Sequence, residues 1–275
     1  DQIYAQVRST RSTTASHDVV IGVSGGVDSS VTALLAQRAG LRVLAVHMDN
    51  GWDTPIAIRN IQRLITLPGV DYHAEVLDWN NFKAIQRAFI EAGVPDIELP
   101  TDIAIQAVLH RVAARHGIRT ILSGGNVANE GILPAAWLYN ARDSRYAQAI
   151  VAQAGLRRSV YAPIKFGFRA ELQVRVLNRI RTLYPLNQFR YDNLPRRHNV
   201  DYRRGYLSAD ICVGTITRED ALQQLSIPAW ADLNVDHDIA FVARKLNYTV
   251  RELEARMQQP PYWYHDYPHF EKILG

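Results

Sequence analysis

The sequence predicts an α/β fold: a doubly wound parallel sheet over residues 1–165, followed by a mainly helical region over 166–275. Short Val- and Ile-rich runs alternate with helix-period segments through the first part of the chain. That is the pattern of βαβ units, whose right-handed crossovers leave a parallel sheet covered on both faces. In IGVSGGVDSSVTALLAQ, residues 21–37, an apolar strand passes through two glycines straight into a helix. Beyond residue 165 helical periodicity persists while strand signals thin out.

Taken in order, a polar lead-in at 9–16 precedes a strand at 18–24, a helix at 27–39, a strand at 42–49 and a helix at 54–67. A third strand is expected at 72–77, helices at 81–92 and 102–116, and a fourth strand at 119–123. Helical periodicity returns at 169–183, 218–225, 237–246 and 249–257. Residues 184–204, rich in Pro, Asn, Asp and Arg, read as a linker or loop. The aromatic tail PPYWYHDYPHF, 260–270, reads as an irregular segment packed on the body.

Composition narrows the function classes. With 275 residues, 47% hydrophobic and 21% charged, the chain has enough apolar material for a sizeable core. No apolar run approaches the roughly 18 residues of a membrane span, and no signal-peptide pattern opens the chain. The expectation is a cytoplasmic protein with no membrane partner. The chain begins at Asp1 rather than at a methionine, as a trimmed product would. Cys212 is the single cysteine, so an internal disulfide is impossible and thiol-relay chemistry loses ground. The net charge of +4 is carried mainly by arginine. It suits phosphate-bearing ligands but lacks the concentrated basic stripe of a nucleic-acid surface, and pairs such as Arg157-Arg158 read as solvated faces.

The glycine turn carries the chemistry. A strand, a glycine-rich turn and a helix N-terminus bring unpaired N–H groups and the positive end of the helix dipole to one point, which is an anion site. The P-loop spacing G-x-x-x-x-G-K-[ST] is absent and no lysine follows, nor is there a G-x-G-x-x-G spacing. Instead Ser24, Ser29 and Ser30 can donate to phosphate oxygens. Asp28 needs a cation between itself and a phosphate, which predicts Mg²⁺.

Ser24-Gly25-Gly26-Val27-Asp28-Ser29 matches the SGGxDS signature of the PP-loop, or ATP pyrophosphatase, superfamily, whose fold is adenine nucleotide alpha hydrolase-like. The resemblance implies that ATP is cleaved between its α- and β-phosphates. It implies that pyrophosphate is held by Ser24, Gly25, Gly26, Ser29 and Ser30, with Asp28 near the metal. It also implies adenine recognition by the main chain of His47 and Met48 at the end of the second strand, and that Gly124 allows close backbone approach across the crevice. Asn126 and Glu130, on the segment facing the loop, become candidates for catalysis, and Glu130 for sharing Mg²⁺ with Asp28. A cap on the following turn is the equal alternative for Glu130.

Four further blocks, AVHMDNGWDTPIAIRNI (45–61), VPDIELPTDIAI (94–105), ILSGGNVANEGILP (121–134) and LSADICVGTITREDAL (207–222), resemble the N-acetyl sugar amidotransferases of bacterial surface-polysaccharide synthesis. This resemblance implies conversion of a sugar acetamido group into an acetamidino group, with the sugar nucleotide-linked. Ammonia would come from a glutaminase subunit of the imidazole glycerol phosphate synthase type, with a barrel subunit to channel it. The helical region beyond residue 169 would supply a homodimer contact or dock that partner. An amide carbonyl is a poor electrophile with a poor leaving group, so adenylylation of its oxygen followed by ammonia addition is a sensible route. It asks the protein for positioning, charge neutralisation and a dry site rather than a nucleophile.

Substrate contacts are assigned to Asp49, Asp102, Arg142 and Arg145, each with a structural alternative. Asp49-Asn50-Gly51 suits a turn, Thr101 or Asp102 an N-cap after Pro100, and Arg142 to Arg145 a solvated helix start. Two departures from the family pattern stand out: no cysteine-containing segment precedes the first strand, and the stretch 179–201 is short. The competing functions are a PP-loop enzyme acting on tRNA, against which the lone Cys212 argues, and a nucleotide-binding scaffold without catalysis, against which the intact Asp28 and Ser29 argue.

Overall fold

The computed structural model describes residues 2–11, 14–94, 96–125, 143–185, 207, 211, 216–227, 235–259 and 266–268. Its centre is a five-stranded parallel sheet of β1 (Val19–Gly22), β2 (Val43–Asp49), β3 (Val70–Val76), β4 (Thr120–Leu122) and β5 (Arg181–Leu183). The spatial order is β3-β2-β1-β4-β5. Val19 pairs with Val43 and Val20 with Ile121, so the order reverses between β1 and β4. Side chains alternate across a strand, and here the alternation divides one sheet between two cores. Val20, Leu44 and Ile121 face one side; Val19, Ile21, Val43 and Leu122 face the other.

The first core is closed by α4 (Trp79–Glu91) and α5 (Leu99–Arg115), through Phe82, Phe89, Ile103 and Val108, and by Tyr146 and Ile150 of α6 (Ser144–Gln153). The second is closed by Val7 of α1 (Gln2–Thr10), Ala33 and Ala36 of α2 (Val27–Arg38) and Ile61 and Leu64 of α3 (Pro55–Leu64). Burying an aromatic or branched aliphatic side chain in this way contributes about 1.5–3 kcal/mol each. A doubly wound sheet is therefore present as expected.

Local signals set the helix starts. Thr54 accepts from the Ala57 N–H with Pro55 at the first helical position of α3, and Asp78 caps α4 through the Asn81 N–H. Beyond the sheet, α9 (Arg218–Ser226), α10 (Val235–Leu246) and α11 (Val250–Met257) agree with the helical reading. Thr217 with Asp220 and Thr249 with Glu252 form capping boxes on α9 and α11. No described helix is long and apolar enough to cross a membrane.

Four readings change. The helix expected at 169–183 is a short α8 (Phe168–Leu172) running into one π turn (Gln173–Leu177). Arg179, at φ 51°, then turns the chain into β5, so the sheet extends past residue 165. Helix α5 begins at Leu99, ahead of the expected 102. Residues 2–10 form α1, an unexpected helix that takes in the first two residues of the polar lead-in at 9–16. Finally, α6 and α7 (Arg158–Tyr161) add two helices to those expected. The aromatic tail at 260–270 lies largely outside the described residues.

Candidate functional site

Ligands of open α/β sheets bind beyond the carboxyl ends of the strands where strand order reverses. A cavity of about 550 Å³ lies there, bounded by the ends of β1, β2 and β4 and by the first turns of α2 and α5. Gly25 adopts φ +76°, and a Cβ on it would stand 2.4 Å from the Ala57 carbonyl oxygen, so this position accepts only glycine. Asn60 of α3 donates from Nδ2 to the Gly25 carbonyl at 2.9 Å. The turn is thus braced from α3.

Gly26 occupies the N-cap of α2 and has no side chain with which to cover the helix's first N–H groups. The serines fold inward around it. Ser30 Oγ donates to the Gly26 carbonyl at 2.7 Å, Ser29 Oγ to the same carbonyl at 3.2 Å, and the Ser24 N–H donates to Ser29 Oγ at 3.3 Å. Together the free amides, the helix dipole and the hydroxyls make a cradle for phosphate oxygens.

Asp28 sits in the first turn of α2 and lines the cavity. Its Oδ1 is buried with no hydrogen-bond partner among the described residues, and burial pushes its carboxyl above the usual range. An unsatisfied buried carboxylate oxygen calls for a cation. Among the described residues no three His, Cys, Asp or Glu side chains come together as a metal site. A cation at this point would be held by Asp28 Oδ1 together with phosphate oxygens, an arrangement common for Mg²⁺. Glu130, the expected second ligand, lies outside the described residues, as do Asn126 and Arg142.

Across the crevice, Gly124 presses on α2. A Cβ there would stand 3.0 Å from the Ser29 nitrogen and 3.1 Å from the Asp28 Cβ. Ser123 holds this loop by accepting from the Gly125 N–H at 3.1 Å, and its own N–H donates to the Leu183 carbonyl at 2.9 Å.

His47 and Met48 both line the cavity. The buried His47 ring is anchored at both nitrogens: Nδ1 contacts the Val23 carbonyl and Nε2 the Asp53 carboxylate, each at 2.9 Å. Its side chain ties the end of β1 to the loop after β2. Asp49 Oδ1 accepts from the Gly51 N–H at 2.8 Å, which is the turn alternative for that residue. Asp102 and Arg145 are exposed and do not border the cavity. From the first turn of α5 it is Thr101 that does, and Asp143 caps α6 through the Arg145 and Tyr146 N–H groups.

Sequence reasoning missed Asn60, Asp53 and the loop tryptophan Trp52. Asn60 left one trace, a poor helix former in the interior of a well-patterned helix. Apolar walls from Val46, Met48, Ile105 and Leu109 flank the cradle. The cavity thus pairs the N-terminus of α2 with an apolar flank.

Residues 178–274 match the family model described as the C-terminal domain of WbpG-like LPS biosynthesis proteins, and residues 1–92 match the NAD synthase model. The glutamine-hydrolysing GMP synthase of Pyrobaculum aerophilum is 54% identical over 52 residues, 18% of this chain and 10% of that protein. The tRNA-specific 2-thiouridylase MnmA of Limosilactobacillus reuteri is 66% identical over 35 residues, 13% of this chain and 9% of that protein. That of Bacillus subtilis is 30% identical over 131 residues, 40% of this chain and 35% of the relative. The matched stretches span between about a tenth and about a third of these relatives' lengths. Among solved structures, the NH3-dependent NAD synthetase of Campylobacter jejuni superposes with TM-score 0.38 at 18% identity, over 65% of this chain and 80% of that one. The NMN synthetase of Francisella tularensis gives 0.37 at 15%, over 66% and 87%.

Proposed function

We propose, from the premise that the chain is a PP-loop ATP pyrophosphatase-superfamily protein related to the WbpG-like LPS biosynthesis proteins, that it is an ATP-dependent amidotransferase acting on an N-acetyl sugar in surface-polysaccharide synthesis. The observation that carries the reading is the SGGVDSS cradle opening on a cavity with Asp28 at its edge, in a chain whose C-terminal third matches the WbpG-like model.

In this reading the α2 N-terminus, Ser24, Ser29 and Ser30 hold the β- and γ-phosphates, and Gly124 lets the opposite loop approach closely. Asp28 would hold Mg²⁺, which supplies charge neutralisation on the phosphates when bound. The acetamido oxygen attacks the α-phosphorus, the α–β bond breaks, and pyrophosphate leaves into the cradle. Ammonia adds to the imidate carbon, and the C–O bond breaks to release AMP and the amidine. The chain contributes alignment and water exclusion rather than a covalent intermediate. Ammonia would come from a separate glutaminase, so ammonium salts support turnover alone, whereas glutamine requires that partner.

A second reading, modification of tRNA, is favoured by the stretches shared with the thiouridylases. One experiment separates the two. AMP and pyrophosphate release from ATP, Mg²⁺ and ammonium is followed with a panel of nucleotide-linked N-acetyl sugars and with tRNA, and products are weighed. A sugar whose amide oxygen has given way to nitrogen supports the amidotransferase. AMP formed only with tRNA moves the chain to the RNA-modifying branch, and AMP with neither leaves the scaffold reading.

A further inference from the structure

Helix α10 meets the rim of the nucleotide cavity through Phe241, whose ring lies 6.2 Å from that of Trp52, and through the charged end of Lys245. The Lys245 ammonium donates to the carbonyl of Gly51, a residue 194 positions earlier. The same ammonium lies 5.7 Å from the ring centre of Trp52, 5.1 Å from that of Trp79 and 5.9 Å from that of Phe241. The three rings form a cage around it. Gly51 has φ +84°, and a Cβ there would stand 2.4 Å from the Trp79 ring, so the loop backbone packs directly on the indole. Trp52 meets Trp79 edge to face at 5.7 Å, and its Nε1 donates to the buried Gln86 at 2.6 Å.

The loop held in this way is the one that lines the cavity with Asn50, Trp52, Asp53 and Thr54. It continues without a break into α3, where Thr54 caps the helix and Asn60 braces the Gly25 carbonyl. Contacts therefore run from α10 through Gly51, the loop and α3 to the phosphate cradle. They also join residues 1–92, which match the NAD synthase model, to residues 178–274, which match the WbpG-like model.

We infer that Lys245 is a positioning residue for the nucleotide: it sets the loop between β2 and α3, and through α3 the cradle, in the shape that accepts ATP. A cation held by a peptide carbonyl and three aromatic faces is strongly localised, and its removal frees the loop at Gly51. The inference rests on nucleotide binding and not on which acceptor is modified.

The test is Lys245→Met, which keeps most of the apolar stem and removes the charge. ATP binding with Mg²⁺ is measured by calorimetry and the thermal midpoint by scanning. The expected result is roughly tenfold weaker ATP binding by the folded variant, the scale of a cation–π contact plus a charged hydrogen bond, with partial recovery in Lys245→Arg. In a double-mutant cycle with Asn60→Ala the two losses should be non-additive, because both act on one connected element. A lower midpoint with unchanged affinity would mean a plain structural staple and overturns the inference. Should Lys245→Met not fold, Phe241→Leu removes one wall of the cage and keeps the carbonyl contact. It should weaken ATP binding in the same direction, and unchanged affinity there also overturns the proposal. A wild-type chain that does not bind ATP removes the nucleotide reading and this inference together, whereas equal binding by wild type and variants removes this inference alone.

Discussion

The side-chain amide of Asn60 and the carbonyl of Gly25 meet at 2.9 Å, joining the interior of α3 to the glycine turn between β1 and α2. The contact makes the turn's shape a property of two elements. Replacing Gly25 by Ala brings a Cβ to 2.4 Å from the Ala57 carbonyl oxygen in a left-handed conformation, with a strain of about 1–3 kcal/mol before any relaxation. Gly25→Ala should lose ATP binding and unfold at lower urea. Asn60→Ala leaves a carbonyl short of one donor and should cost about 1 kcal/mol, with a smaller loss of ATP affinity. Equal effects of the two in urea unfolding and ATP titration would contradict this division.

Asp28 offers a sharper separation of function from stability. Burial raises its carboxyl pKa, so the folded state holds its proton more tightly than the unfolded chain does. Stability therefore falls as pH rises through that window, and the ionised carboxylate weakens the apo fold at neutral pH. Asp28→Asn should abolish pyrophosphate release while leaving the thermal midpoint at pH 7 unchanged or higher. A lower midpoint would show that the carboxylate supports the apo fold instead of awaiting a cation.

Much of this arrangement was legible in the sequence because it is local. Strand β1, the turn and the start of α2 are contiguous, and alternation with βαβ spacing fixed the first four strands to within a few residues. Strand β5 was not legible: its three residues fall inside the helix-period stretch 169–183, and the chain turns out of that stretch at Arg179, in a left-handed conformation. Helix α6 was missed although it carried usable signals: Asp143 accepts from two N–H groups at its start, and Tyr146, Ala147, Ile150 and Val151 recur at helical spacing on its buried face. At the cavity, the strand–turn–helix pattern placed Ser24, Asp28 and Ser29, which border it. Asn60 and Lys245 could not be placed, since their partners lie 35 and 194 residues away and pairing at that separation leaves no periodic trace. Asp49 sits in an Asx turn and Asp102 in the exposed first turn of α5, the two structural alternatives that the spacing also offered.

A cluster far from the cradle sets an acid limit. The ring of His116 lies 6.4 Å from that of His17 and 6.2 Å from that of His73. Burial, with help from those two rings and Arg115, holds His116 below its usual value of 6.5. The unfolded chain thus binds this proton more readily, and the stability it contributes is present above about pH 6.5 and lost as pH falls through the folded value. His17 pairs with Asp71 at 2.8 Å and His73 with Glu75 at 3.3 Å, so the carboxylates face His116's neighbours. A second acid step belongs to Asp18. Burial alone would raise its carboxyl, but hydrogen bonds from the Arg42 side chain and backbone outweigh that and hold it below 3.8. Denaturation midpoints from about pH 8 to about pH 2.5 should decline first below about 6.5 and again in the acid range of Asp18, and His116→Gln should flatten the first decline without touching the second. An unaltered profile in the variant would assign the decline to other groups.

Gly124 and Gly125 are neighbours with opposite expectations, and the difference lies in what each faces. A Cβ on Gly124 would meet the Ser29 nitrogen at 3.0 Å and the Asp28 backbone and Cβ at 3.1 Å, where the partner atoms belong to the first turn of α2 and cannot rotate away. A Cβ on Gly125 would meet Ser123 Oγ and the Tyr184 ring at 3.4 Å, close to ordinary contact with atoms of movable side chains. Gly124→Ala should therefore push the loop after β4 off α2, widening the crevice where a nucleotide needs donors from both sides. Because the effect is one of fit rather than of a forbidden backbone angle, the variant should fold with a thermal midpoint near wild type and show ATP affinity reduced by about tenfold or more, the scale of misplacing binding groups by a fraction of an ångström. Gly125→Ala should bind ATP within about twofold of wild type, as an accommodated surface-loop change does. If calorimetry finds the two variants alike, the close approach of Gly124 to α2 has no part in holding the nucleotide.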